Sequence, residues 1–290
     1  MYLIDTLALG QKGTVAVYLV KDKKNAIIDC GYASSYKNVL DALSFNGIEP
    51  EDIDYIIPTH VHLDHGGATG HLANVMKNAE IIAHERAVPH LINPEKLIAS
   101  ATQVFGKEIV ELYGIPLPVE QPRITPVKDE LQLNLGSKTL VIIHSPGHAP
   151  HQVSVSIEGT GILVTADSVG IIYPDVGVMI PTTPPPSFDP DTLISTLNKL
   201  RQNLIKQLLI PHFGVRTDYE DVFEKTKEKV RGWVRGVEKM EKEGLAIEKI
   251  QQEMEKNIMA EAGLADLPIY ASISIRTSIL GILNYIKRRS

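Results

Sequence analysis

Apolar positions recur in two rhythms along this chain, and the change between them divides it near residue 215. Before that point, short runs at strand spacing alternate with stretches at helical spacing. Residues 14–20 and 26–29 read as strands around the polar turn at 21–25. Residues 35–46 follow as a helix, with Val39, Leu40, Leu43 and Phe45 on its apolar face. A short buried strand is expected at 54–58, a loop at 60–70, a helix at 70–78 and a strand at 80–83. Residues 87–114 read as helical but irregular. Two hairpins come next, 131–135 with 139–144 and 152–157 with 161–165.

Six prolines fall between 173 and 190, which rules out regular helix or central strand there. A stiff loop of that length inside a compact domain is often functional. Asp189 then caps a helix expected to run to residue 204, with Pro190 in its first turn. Residues 207–211 are read as the last strand. Beyond 215 the spacing is helical throughout, with Val222, Phe223, Val230, Trp233, Val234, Val237 and Met240 on one face. The pattern predicts an α+β protein: mixed sheets packed together with helices outside. Residues 1–215 are expected to form the catalytic domain and 216–290 a helical appendage packed on it.

Composition narrows the function. Apolar residues make up 43% and charged residues 22%, the balance of an ordinary globular chain. A net charge of −6 gives no bulk attraction for polyanions, so nucleic acid is not an expected partner. The single cysteine, Cys30, excludes an intrachain disulfide and reads as a small buried residue. No signal-like segment opens the sequence, and no run of about 18 apolar residues predicts a membrane span. A cytoplasmic protein acting on a small molecule is the expectation.

The chemistry concentrates in His60-Val-His62-Leu-Asp64-His65. In an extended segment, side chains two apart point the same way, so His60 and His62 form a natural ligand pair for a metal ion. Asp64 and His65 lie past the bend and point to a second position. Gly66 and Gly67 allow the backbone to turn tightly beside them. Three titrating rings held this close favour a metal over a solvated polar loop.

The run 59–67 resembles the metal-binding motif of the metallo-β-lactamase superfamily, and the resemblance continues in order along the chain. Asp29-Cys30-Gly31 matches its first acidic motif, Ser145-Pro146-Gly147-His148 its proline-glycine-histidine loop, Asp167 its bridging aspartate and Pro211-His212 its last histidine. The resemblance implies a four-layer αβ/βα sandwich of two mixed sheets. It also implies two divalent ions, zinc first, with iron or manganese equally suited to these ligands. His60, His62 and His148 would hold one ion, and Asp64, His65 and His212 the other, with Asp167 between. A hydroxide shared by two ions is a nucleophile at neutral pH. Asp64 is the candidate for orienting it or moving its proton, and Asp29 for supporting a ligand histidine.

Family members with this ligand set include thioesterases, lactonases and phosphodiesterases. The layout is closest to glyoxalase II-like hydrolases, which also carry a helical C-terminal segment. The expected reaction is therefore cleavage of a thioester or lactone. Iron-dependent redox chemistry of the sulfur dioxygenase type, or phosphodiester and nucleic-acid cleavage, are the alternatives. Tyr173 and His84 are further candidates for lining the site, as is His90. His71 is read as an ordinary surface or capping residue, His144 as alternating out of the sheet, and His151 as serving the fold, with the rim of the site as its alternative. The apolar stretch 264–282 is too rich for a free tail and is expected to pack on the domain or to form a homodimer.

Overall fold

The computed structural model describes residues 1–289. Sheet one takes its strands in chain order: β1 (Tyr2–Asp5), β2 (Ala16–Val20), β3 (Asn25–Ile28), β4 (Ile53–Ile57), β5 (Glu80–His84) and β6 (Ile124–Val127). Sheet two contains β7 (Glu130–Asn134), β8 (Thr139–His144), β9 (Val153–Ile157), β10 (Ile162–Val164), β11 (Gln207–Ile210) and β12 (Gly214–Arg216). Both are mixed. β3, β4, β5 and β6 run parallel, as do β10 and β11, while the other pairings are antiparallel.

Alternation along the strands builds the layers. Tyr18, Val20, Ile28 and Ile57 face inward and pack on Leu140, Ile142, Val155 and Val164 of the opposite sheet. Their sequence neighbours Val17, Leu19, Ile27 and Ile56 face outward, under α1 (Tyr36–Phe45) and α2 (Thr69–Val75). On the far side, Leu163, Leu208 and Ile210 pack under α6 (Pro190–Leu200) and the start of α7 (Tyr219–Lys242). The result is the four-layer αβ/βα sandwich. Asp189 caps α6 by accepting from Thr192 N at 2.7 Å, a bond of about 1 kcal/mol.

Several local expectations change. The irregular region resolves into α3 (Val88–Ile92), α4 (Glu95–Phe105) and α5 (Lys107–Tyr113), separated at Pro94 and Gly106. α2 and α6 stop earlier than expected, at Val75 and Leu200. Phe45, expected on the apolar face of α1, is 92% exposed, because α1 ends there and turns it away from the sheet. β1, β6 and β12 are strands that the sequence pattern does not predict. Each lies at the edge of a sheet, where one side lacks a partner and a continuous apolar run is not required.

The C-terminal helices α7, α8 (Ile247–Ala262) and α9 (Ile269–Arg289) close on the proline-rich loop. Val230, Trp233, Ile250, Ile275 and Ile279 pack with Tyr173, Ile180 and Phe188 in one cluster. The apolar stretch 264–282 therefore finds partners within its own chain. By length and composition α9 could cross a membrane, although no unbroken apolar run marks it in the sequence. Its buried residues Ala271, Ile275, Ile279 and Ile282 face protein instead.

Close approach to the loop depends on Gly281, where an added Cβ would lie 1.9 Å from the Thr183 carbonyl oxygen and 2.5 Å from Pro184 C. Both contacts are backbone, so neither yields by a rotamer change. Gly281→Ala should lower stability by about 1–3 kcal/mol, read as an earlier denaturant midpoint. An unchanged midpoint would show that α9 shifts freely and does not clamp the loop.

Candidate metal centre

The carboxyl ends of β3 and β4, side by side and parallel, supply the first half of the site. β3 leads directly into Asp29, whose φ of 66° turns the chain back beneath the histidine run. Asp29 Oδ1 accepts from Thr59 N at 2.8 Å and Thr59 Oγ1 at 2.6 Å, and Oδ2 accepts from His65 Nδ1 at 2.9 Å. Asp29 thus supports the loop that carries the histidine run. The loop folds on itself so tightly that a Cβ at Gly67 would sit 2.1 Å from Leu63 O. Close backbone approach requires glycine there.

Sheet two supplies the second half. His148 follows β8, Asp167 lies in a single turn after β10, and His212 follows β11. Val153 N bonds Thr59 O at 2.8 Å and Ala16 N bonds Pro211 O at 2.8 Å, fastening the two sheets together at the site. Gln152, wholly buried, spans two of these loops: Nε2 donates to Ser145 O and Ser168 Oγ, both at 2.9 Å, and Oε1 accepts from Asp167 N at 3.2 Å. Sequence pattern places it only at the start of a strand. An amide side chain between two ligand loops is the signal that could have marked it.

Hydrogen bonds on one side of each ring fix which nitrogen is free on the other. His148 Nδ1 donates to Thr182 O at 3.1 Å and His212 Nδ1 to Thr14 O at 2.7 Å. Thr59 Oγ1 spends its proton on Asp29, so it accepts from His60 Nδ1 at 3.1 Å. In His60, His65, His148 and His212, Nε2 is therefore left as the lone-pair nitrogen of the neutral ring. These lone pairs converge. His62 Nδ1 lies 3.0 Å from His60 Nε2 and 2.9 Å from His148 Nε2, while His65 Nε2 and His212 Nε2 are 3.1 Å apart.

Two carboxylates complete the array. Asp167 Oδ1 is 3.3 Å from His65 Nε2 and 3.8 Å from His212 Nε2, and its Oδ2 is 3.5 Å from His148 Nε2. Asp64 Oδ2 is 3.3 Å from His212 Nε2 and 3.7 Å from His65 Nε2. The potential ligand atoms fall into three overlapping groups, each within 4.8 Å: His60, His62 and His148; His60, His65 and Asp167; and Asp64, His65 and His212. Acceptors converging with too few protons among them are what a cation satisfies, so this donor set fits divalent metal.

The electrostatics divide the array: His60, His62 and His148 are lowered, while His65 and His212 are raised by the carboxylates beside them. Burial, then the neighbouring rings, holds His60 well below the usual histidine range and pushes His62 down to about 3, favouring neutral ligands. Burial opposes charge on His65 too, but Asp167, Asp29 and Asp64 outweigh it and raise that ring. Burial would likewise raise Asp167 and Asp64, yet the neighbouring rings outweigh it, His65 first, then His148 for Asp167 and His212 for Asp64, and hold both well below the usual carboxylate range.

A cavity of about 550 Å³ opens on the array and is lined by His62, Asp64, His148, Asp167 and His212. Tyr173 lines it as well, but its hydroxyl is engaged with Ser274 Oγ at 3.0 Å. His84 does not reach it. That ring stacks on His144 at 4.1 Å, because the residue ends β5 beneath the opposite sheet. His90 lines the cavity, and so does His151, the less favoured of the two readings of that residue.

Comparison with known proteins follows the same lines. The metallo-β-lactamase superfamily model matches residues 10–212. Metallo-β-lactamase fold-containing protein ST1585 of Sulfurisphaera tokodaii is 32% identical over 57% of this chain and 59% of its own length. Probable metallo-hydrolase MJ0888 of Methanocaldococcus jannaschii is 32% identical over 52% of this chain and 66% of its own. The chain thus spans roughly three fifths of the length of these curated relatives. More distant matches include an N-acyl homoserine lactonase of Bacillus thuringiensis, 25% identical over 61% of each protein. Flavo-diiron protein FprA2 of Clostridium acetobutylicum is 33% identical over 58% of this chain and 37% of its own.

In fold, the crystal structure of ST1585 superposes with a TM-score of 0.68, at 24% identity over 96% of this chain and 94% of that one. TTHA1429 of Thermus thermophilus gives 0.71, at 18% identity over 99% and 93%. The matched region begins before the histidine run and ends on His212, so motif order, fold and family model coincide. The chain belongs to the metallo-β-lactamase superfamily.

Proposed function

We propose that this protein is a two-metal hydrolase that cleaves an acyl bond in a small-molecule thioester or lactone. The observation that carries the reading is Asp167, with one carboxylate oxygen toward His65 and His212 and the other toward His148. His60, His62 and His148 would hold one ion and Asp64, His65 and His212 the other, with Asp167 shared. Ions bound there supply a Lewis acid and lower the pKa of water from about 16 to about 7. Zinc is the first choice, and iron and manganese suit the same donors.

The chain's own residues set the conditions for that chemistry. The Nδ1 bonds to Asp29, Thr59, Thr182 and Thr14 lock the rings in place, so little reorganisation accompanies reaction. Asp64 is the more exposed of the two carboxylates, at 26% against 6%, and faces the cavity. Asp64 would orient the attacking water or move its proton to the leaving group. Water adds to the carbonyl carbon, the carbon–sulfur or carbon–oxygen bond breaks, and a carboxylic acid leaves with a thiol or hydroxyl group.

Purified protein should hydrolyse at least one substrate among acyl thioesters and lactones. Chelation should remove that activity and added metal restore it. No turnover of any such substrate by metal-loaded protein would sink the reading. Redox chemistry at iron is the second reading, favoured by the relationship to FprA2. Oxygen consumption with a reductant, absent ester turnover, would establish it instead.

A further inference from the structure

The cavity has walls as well as a floor. α4 contributes Leu97, Ala101, Val104 and Phe105 to the walls, and α9 contributes Ile269 and Ile273. Polar groups on the α9 wall are already engaged. Ser274 Oγ donates to Tyr270 O at 2.9 Å, Thr277 Oγ1 to Ile273 O at 2.8 Å and Ser278 Oγ to Pro181 O at 2.7 Å. With their protons used inside the protein, these hydroxyls have none left to donate to a ligand.

Charge is as informative. Lys96 is the one Lys or Arg among the described residues lining the cavity, and it is exposed. Recognition of phosphate or of a second carboxylate calls for several convergent cations or an Arg fork, which this wall lacks. A volume of about 550 Å³ suits a whole small molecule more than the reacting group alone.

We infer that the substrate is an uncharged ester, thioester or lactone carrying a medium-length apolar group, held between α4 and α9. The inference rests on the acyl-hydrolase reading for the bond cleaved, but the apolar site stands on the walls alone. In the reaction, water adds to the carbonyl carbon, the alkoxide or thiolate leaves and takes a proton, and the apolar group departs within the acid or the alcohol.

Two measurements separate the claims. For metal-loaded protein, kcat/KM on p-nitrophenyl esters should rise at least about tenfold from acetate to octanoate, which requires burial of only about two of the added methylenes at about fourfold each. Metal-free protein should bind the neutral fluorophore N-phenyl-1-naphthylamine and release it to 1-decanol but not to ethanol. Val104→Trp in α4 and Ile273→Trp in α9 should each weaken that binding about tenfold and reduce the octanoate-to-acetate ratio. Circular dichroism identifies a variant that fails to fold, and the other then decides. Turnover with no gain in chain length, or probe binding untouched in both folded variants, overturns the inference alone. Probe binding lost in the variants with no ester hydrolysed by any protein supports the apolar site and overturns the hydrolase reading.

Discussion

Replacing Asp167 by Asn should lower turnover on the order of a thousandfold or more, about 4 kcal/mol of barrier. The substitution keeps the shape of the side chain and removes its negative charge. That charge faces His65 and His212 with one oxygen and His148 with the other, and of the two carboxylates in the array it alone lies near ligands assigned to both proposed ions. Bound metal should fall along with activity, because two cations brought close together need an anion between them. Kinetics and elemental analysis on the same preparation check both. Activity within tenfold of wild type would show that Asp167 is not shared between two ions.

The second large effect is on stability. Asp29→Ala deletes the acceptor of three buried hydrogen bonds, from Thr59 N, Thr59 Oγ1 and His65 Nδ1. It also leaves a side chain with a Cβ, and no compensating hydrogen bond, at a φ of 66°. Removing one member of a buried ionic network typically costs about 3–5 kcal/mol, and the cost here should fall near that range. Metal affinity should drop about tenfold to a hundredfold as well, because His65 loses the bond that orients it. Denaturant unfolding of metal-free protein isolates the first effect, and competition with a chromophoric chelator reads the second. A stability loss below about 1 kcal/mol would mean that the loop is held by other contacts.

Both expectations rest on residues legible in the sequence, and the reason is physical. Asp29, His60, Asp167 and His212 each follow a strand closely, and strand ends are where sheets of this kind gather polar groups. A titratable residue just past an apolar run is conspicuous. Interior strands are legible for the same reason: the runs 17–20 and 26–28 must satisfy a neighbour on each side and a helix or sheet on each face. The edge strands β1, β6 and β12 carry no such demand. In β6, Pro126 breaks the run, yet an edge tolerates it.

Burial of polar side chains is harder to anticipate. Gln152 sits at the mouth of β9 and reads as an ordinary polar residue before a strand, but it ties the His148 loop to the Asp167 turn. Which turn lies beside it depends on the pairing of β8, β9 and β10, which local pattern does not specify. His84 misleads in the other direction. It ends an apolar strand much as the ligands follow theirs, but β5 ends under His144, away from the cavity. The roof of the cavity is equally hidden, because α9 meets the proline-rich loop about a hundred residues away through Ser278 and Gly281.

Metal stoichiometry tests the central claim most directly. Elemental analysis of the purified protein, beside its His212→Ala variant, should give about two equivalents per chain for the first and about one for the second. One equivalent in both would contradict the two-metal centre.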